Sequence, residues 1–171
     1  MRKFSKTQKI TIIALLTALQ VVLTRFIGIT TPIVSINFSF VPLVINAVLF
    51  GPISAAISSA SADIIGSVLF PQGLGIYFPG YTLSAALNGL IYGYILYSKP
   101  KKLWRITLAC AITGIFVSLL LGTYWVYVMT GQAYLLLLPT RIMKNLIMIP
   151  IKIVVIQILV YRVVELIKNN E

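Results

Sequence analysis

Charge is almost absent from the interior of every long stretch of this chain, and that absence constrains the fold more than any motif does. Of 171 residues, 59% are hydrophobic and only 10% are charged. A soluble domain needs roughly a quarter of its residues charged to cover its surface. The apolar residues instead gather in runs near the length of about 20 that crosses a bilayer as a helix. The chain is therefore expected to be an all-α integral membrane protein. Its 14 Lys+Arg against 3 Asp+Glu give a formal net charge of +11, which elsewhere would suggest nucleic acid. A nucleic-acid binder needs a continuous basic face in water, whereas these charges are islands between apolar runs. The chain has no His and one Cys, Cys110. It has no usual neutral-pH proton shuttle, lacks the commonest metal ligand and cannot form an internal disulfide. No metal and no cofactor are expected.

Six runs can be counted. The first covers residues 8 to 27; it is long for the apolar part of a signal peptide and no small-residue cleavage site follows, so it reads as a retained helix. The second, 36 to 50, is short, contains Pro42 and ends at the turn Gly51-Pro52. The third, 53 to 70, is rich in small residues from Ser54 to Ala62, and small side chains let helix backbones approach in lipid. A Pro/Gly-rich stretch, Pro71 to Gly80, precedes the fourth run, 81 to 97; a basic turn, Lys99-Pro100-Lys101-Lys102, precedes the fifth, 103 to 128; the sixth spans 139 to 167. The expected architecture is a compact bundle of six transmembrane helices forming a single domain over residues 1–171.

Lys and Arg concentrate on the cytoplasmic side of membrane proteins. With the N-terminus inside, the cytoplasmic ends hold Arg2, Lys3, Lys6, Lys9, Lys99, Lys101, Lys102, Arg105, Arg162 and Lys168, while the outer loops near 28 to 36, 71 to 79 and 129 to 139 carry no charge. Both termini are expected in the cytoplasm.

Four cations remain: Arg25, Arg141, Lys144 and Lys152. A charge within the membrane costs at least a few kcal/mol unless it is paired or faces water, so such residues are functional candidates. At about 100° per residue, Arg141, Lys144, Met148 and Lys152 fall at about 0°, −60°, −20° and +20°, so the three cations share one helix face. Asp63 is the one acid in the membrane interior. It lies about 15 Å above Ile53, and Lys152 about 18 Å below Thr140, at about 1.5 Å per residue. Their depths match, so Lys152 is expected to pair with Asp63, the alternative being a contact with ligand. Arg141 and Lys144 lie close enough to the outer surface to snorkel to head groups, but positive charge gathered on the disfavoured side is better explained by an anion site. A residual charge near +3 suits a ligand carrying two carboxylates. The outer segments add Tyr77, Phe78, Tyr81, Tyr124, Trp125 and Tyr127, either an interfacial aromatic belt or the walls of a site for a flat aromatic ligand.

Leu69-Phe70-Pro71-Gln72-Gly73, followed by Tyr77-Phe78-Pro79-Gly80-Tyr81-Thr82-Leu83-Ser84-Ala85-Ala86-Leu87-Asn88-Gly89-Leu90-Ile91-Tyr92-Gly93, together with the small-residue third helix carrying Asp63, resembles the substrate-binding S-component of an energy-coupling factor (ECF) transporter, most closely the folate-specific branch. The S-component pattern Ala-x-x-x-Ala on the first helix is matched by Ala14 and Ala18. The resemblance implies a protein of the bacterial cytoplasmic membrane that binds a vitamin from outside, docks through Ala14 and Ala18 onto a membrane coupling (T) subunit driven by two cytoplasmic ATPases, and hydrolyses nothing itself. For folate it implies that Arg141, Lys144 and Arg25 receive the glutamate carboxylates, that Tyr77, Phe78 and Trp125 cover the rings, and that Asp63 or Asn88 binds the pterin. Arg25 falls within about 20° of Ala14 on a straight helix, which aims it toward the docking side.

Rival readings are an S-component for another vitamin, such as pantothenate or riboflavin, a small membrane enzyme and a structural membrane subunit. Thiamine is cationic, riboflavin leaves the charge unexplained and pantothenate has one carboxylate and no aromatic plane. An enzyme of lipid head groups needs more carboxylates or His than this chain has.

Overall fold

The computed structural model describes residues 5–30, 35–71, 77–99 and 102–168. Among them run six continuous helices: α1 Lys6–Arg25, α2 Phe40–Phe50, α3 Pro52–Leu69, α4 Pro79–Leu96, α5 Leu103–Thr130 and α6 Tyr134–Lys168. A two-residue antiparallel ribbon, β1 Ile29–Thr30 with β2 Ser35–Ile36, joins α1 to α2. This ribbon is a small departure from the all-α expectation. It forms where Gly28 lets the chain fold back: a side chain there would come within 2.8 Å of Asn37 Cβ and the Thr24 carbonyl.

Local signals set the helix ends. Ser5 and Gln8 form a reciprocal capping box that opens α1 (Gln8 N to Ser5 Oγ 3.2 Å, Ser5 N to Gln8 Oε1 3.0 Å). Pro52 and Pro79 stand in the first turns of α3 and α4, where an amide N–H has no partner to lose. Gly51, at φ 91°, makes the reversal between α2 and α3. Gly131, at φ 67°, ends α5 in a left-handed cap. The expected outer loop from 129 to 139 shrinks accordingly, since Tyr134 to Leu138 already belong to α6.

Among the described residues, four helices are long and apolar enough to cross a membrane: α1, α3, α5 and Tyr134–Leu159 of α6. Helix α2 has 11 residues, about 16 Å at the helical rise, and α4 is diluted by Thr82, Ser84, Asn88 and its glycines. The short α2 is the hub of the bundle, packing on α1, α3, α4 and α6. Its Phe40, Leu43, Val44, Ala47 and Val48 form the apolar core with Ala55 of α3, Tyr92 and Leu96 of α4, Ile106, Ala109 and Cys110 of α5, and Met148 and Ile156 of α6. These come from the start of α3, the end of α4 and the start of α5, so the core fills the Gly51 end of the bundle. Helices α3 and α4 make the tightest seam, with Gly89 against the backbone of Ala55 and Ala56 and Gly93 against Pro52. Ser59 Oγ reaches the Ala85 carbonyl across it (2.8 Å).

The middle of α5, Thr113–Leu121, is wound as a π-helix, which nothing in the sequence reading anticipated. The Gly122 N–H that ends it is shared by the carbonyls of Leu119 and Val117.

Candidate ligand site at the end of the bundle away from the core

Away from the core, polar and aromatic side chains converge from α1, α3, α4, α5 and α6. Asp63 projects from the middle of α3 and accepts a hydrogen bond from Thr82 Oγ1 on α4 (2.7 Å). Thr82 Oγ1 also stands 3.1 Å from Tyr77 Oη. A hydroxyl has one proton, here given to the carboxylate, so in the second pair the phenol donates. The result is a relay Tyr77–Thr82–Asp63 that fixes the carboxylate.

The electrostatic partner of Asp63 is Arg25. Arg25 Nη2 donates to Ser67 Oγ (2.7 Å), and its stem lies over Gly66, where a Cβ would come within 2.8 Å of Nε. The expectation that Arg25 points to the docking side is therefore corrected. Its Cα shares the exposed side with Ala14 and Ala18, but a three-methylene side chain at the last turn of α1 wraps onto α3, where a glycine leaves room. Ala14 and Ala18 are themselves exposed, flanked by Leu15 and Leu19.

The pairing of Asp63 with Lys152 is also corrected. Lys152 Nζ lies over the ring of Phe40, 5.7 Å from its centroid, and beside Cys110. Equal depth does not imply a shared face: α6 packs on α2 and α5, whereas α3 packs on α1, α2 and α4. The cation–π placement gives the ammonium an electron-rich surface at the roof of the core. Arg141, Lys144 and Lys152 are nonetheless electrostatic neighbours, Lys144 interacting with both of the others.

Arg141 is 8% exposed and crosses from α6 to the π-wound part of α5, where Nη1 donates to the Ser118 carbonyl (3.3 Å). It also engages the Tyr81 phenol, and Tyr81 in turn feels Asp63. Tyr81 thus stands between the acidic and basic parts of the site.

The structure divides the aromatic residues. Tyr124 and Tyr127 face outward, 49% and 44% exposed. Phe78, Tyr81 and Trp125 turn inward, the Phe78 ring 6.0 Å from Tyr81 and 5.6 Å from Trp125 between centroids. Trp125 Nε1 donates to Ser84 Oγ (3.0 Å), and its ring lies over Gly80, where a Cβ would come within 2.6 Å. Asn88 is half-buried on the same face of α4 as Tyr81 and Ser84, two turns toward the core. Gln72 to Ile76 of the Pro/Gly-rich stretch lie outside the described residues, as do Arg2, Lys3 and Lys101.

Sequence reasoning missed Thr82, Ser84 and Asn145. Asn145 is buried with Nδ2 unpartnered among the described residues. It falls about 40° from Arg141 on the cationic face of α6, so the same arithmetic that grouped the lysines would have found it.

The site joins one carboxylate, an inward aromatic group and a cluster of cations. It can bind a flat ring through stacking and hydrogen bonds at one end and an anion at the other.

The chain matches the family model described as "ECF transporter, substrate-specific component" over residues 8–160. It is 41% identical to "Folate transporter FolT" of Clostridium novyi (strain NT) over 143 residues, 84% of this chain and 82% of that protein. It is 29% identical over 153 residues to a protein of the same description from Leuconostoc mesenteroides subsp. mesenteroides, covering 86% of this chain and 81% of the relative. A solved structure described as "Crystal structure of FolT bound with folic acid" superposes with a TM-score of 0.83 at 34% identity, over 91% of this chain and 92% of that one. The relatives are named as transporters, not enzymes. The apolar helices and these likenesses make the chain a membrane protein, and it belongs to the family of substrate-specific components of ECF transporters.

Proposed function

We propose that this chain captures folate at the outer face of the bacterial cytoplasmic membrane and delivers it inward through an ECF coupling module. The observation that carries the reading is the convergence of Asp63, the ring group Phe78–Tyr81–Trp125 and the cations of α6 at one end of the bundle. Folate is a pterin and benzoate joined to a glutamate, so it brings ring hydrogen-bond donors, two flat rings and two carboxylates. Relatives named folate transporters support the same ligand.

In this reading Asp63, held by Thr82, accepts from the pterin amino group and ring N–H, a charge-assisted pair in a site shielded from water. Asn88 lines the floor beneath it. Tyr77, Phe78 and Trp125 cover the rings. Arg141 and Lys144 receive the glutamate carboxylates, with Arg25 serving the acidic end and Lys152 contributing long-range positive potential.

All six helices span the membrane as one domain with both termini cytoplasmic. The orientation rests on the clustering of ten of the 14 basic residues at the ends then facing the cytoplasm. Ala14 and Ala18, on an exposed apolar face of α1, dock on a membrane coupling (T) subunit served by two ATPases. The S-component itself needs no cofactor.

Mass spectrometry of the small molecules extracted from protein purified without added vitamin tests the reading. A folate, visible also by pterin fluorescence, is expected; riboflavin, thiamine or pantothenate in its place would overturn it.

A further inference from the structure

We infer that Gly122, which touches no ligand in the reading above, is a positioning residue that sets the place of the Arg141 guanidinium and through it the preference for a ligand ending in carboxylates. The inference rests on the folate reading and deepens it.

Three observations carry it. A Cβ on Gly122 would come within 2.8 Å of Arg141 Nη1, so the guanidinium lies directly against the helix backbone. Gly122 closes the π-wound turn, and its N–H goes to the carbonyls of Leu119 and Val117. It passes over Ser118, whose carbonyl accepts Arg141 Nη1 at 3.3 Å instead. A π-turn widens the helix and turns a main-chain carbonyl away from the usual ladder. Here that carbonyl and the missing side chain of Gly122 together form a seat for one cation. The same device recurs nearby, with Arg25 over Gly66 and Trp125 over Gly80.

A methyl group at Gly122 would be accommodated by moving Nη1, the free end of a long side chain, and not backbone. Restoring ordinary contact from 2.8 Å to 3.4 Å moves Nη1 by about 0.6 Å. The bond to Ser118, already 3.3 Å, then passes out of hydrogen-bonding range. The fold is kept while the charge is misplaced.

The experiment compares calorimetric affinities for folate and for pteroic acid, the same molecule without its glutamate, in the parent, Gly122→Ala and Gly114→Ala. Gly114 lies in the same π-turn, but its Cβ would meet only Ile149 side-chain atoms, at 2.8 and 3.0 Å. It therefore controls for a methyl group added to this helix. The folate-to-pteroate ratio should fall by about tenfold in Gly122→Ala, one charge-assisted contact, and stay at the parent value in Gly114→Ala. In an Arg141→Ala background, adding Gly122→Ala should leave the ratio unchanged. If Gly122→Ala alone fails to fold, the double variant should fold, because the atom in the way is gone; failure of both overturns the inference. So does a parent ratio retained in Gly122→Ala, or a parent that binds both compounds equally. A parent that binds neither refutes the folate reading itself.

Discussion

Replacing Gly93 or Gly89 by alanine tests whether the α3–α4 seam holds the site together. A Cβ on Gly93 would fall closest to Pro52 Cα, with Pro52 N and Cβ at 2.6 Å, and one on Gly89 would come 2.6 Å from Ala55 C and O and Ala56 N. Ordinary contact begins at 3.4 Å, so the two helices must part by at least about 0.8 Å, and backbone cannot swing aside as a side-chain tip does. A gap of that size forfeits about a quarter to a half of each dispersion contact along the seam. The cost is placed at the upper end of overpacking, about 3 kcal/mol, or about 6–12 °C in melting temperature for a chain of this size. Thr82 and Asp63 meet across the same seam at 2.7 Å, so folate affinity should fall together with stability. Ligand-free melting in detergent followed by circular dichroism, then calorimetry with folate, reads both. Gly114→Ala, which meets the flexible end of Ile149, should cost only about 1 kcal/mol. Melting of Gly93→Ala and Gly89→Ala within about 2 °C of the parent would refute the argument.

Arg141→Ala should weaken folate binding by more than about tenfold, since it removes at least one charge-assisted contact; an unchanged calorimetric affinity counts against its role. Trp125 and Trp104 are the two tryptophans, and Trp104 is 57% exposed away from the site. Folate should therefore quench the fluorescence of Trp104→Phe but not that of Trp125→Phe, and the reverse pattern would put the rings elsewhere. Tryptophan at Ala14 and Ala18 should abolish uptake by the assembled transporter and leave folate binding to the isolated subunit intact. Loss of both together would mean misfolding, not lost docking.

The helical fold was legible because an apolar run of membrane length has few alternatives to a helix in lipid. The shared face of Arg141, Lys144 and Lys152 was legible because helical geometry is local, and the three are electrostatic neighbours in the fold. The partner of Asp63 was not, because depth along two helices says nothing about which helices touch. That choice is made by α2, read in sequence only as a short second run and not as a hub, which packs between α6 and α3. The π-turn was hidden because nothing in the residue types from Thr113 to Leu121 separates π from α winding. At its start Thr113 Oγ1 lies 3.1 Å from Tyr92 Oη of α4, a contact made across helices. A pair of glycines four apart, Gly89 and Gly93, did announce the α3–α4 seam through the small-xxx-small rule. The sequence reading had given that role to the small residues of α3 alone. Gly66, Gly80 and Gly122 could not be read from sequence as seats, since each is defined by a side chain from another element.

The central claim is that the end of this bundle away from the apolar core is built for a flat ring with a dicarboxylate tail. Calorimetric titration of the purified, ligand-stripped subunit with folate, riboflavin, pantothenate and thiamine tests it most directly. The account predicts saturable binding of folate with one site per chain, undiminished by an excess of the other three. Tighter binding of any of those three, or no heat with folate, would contradict it.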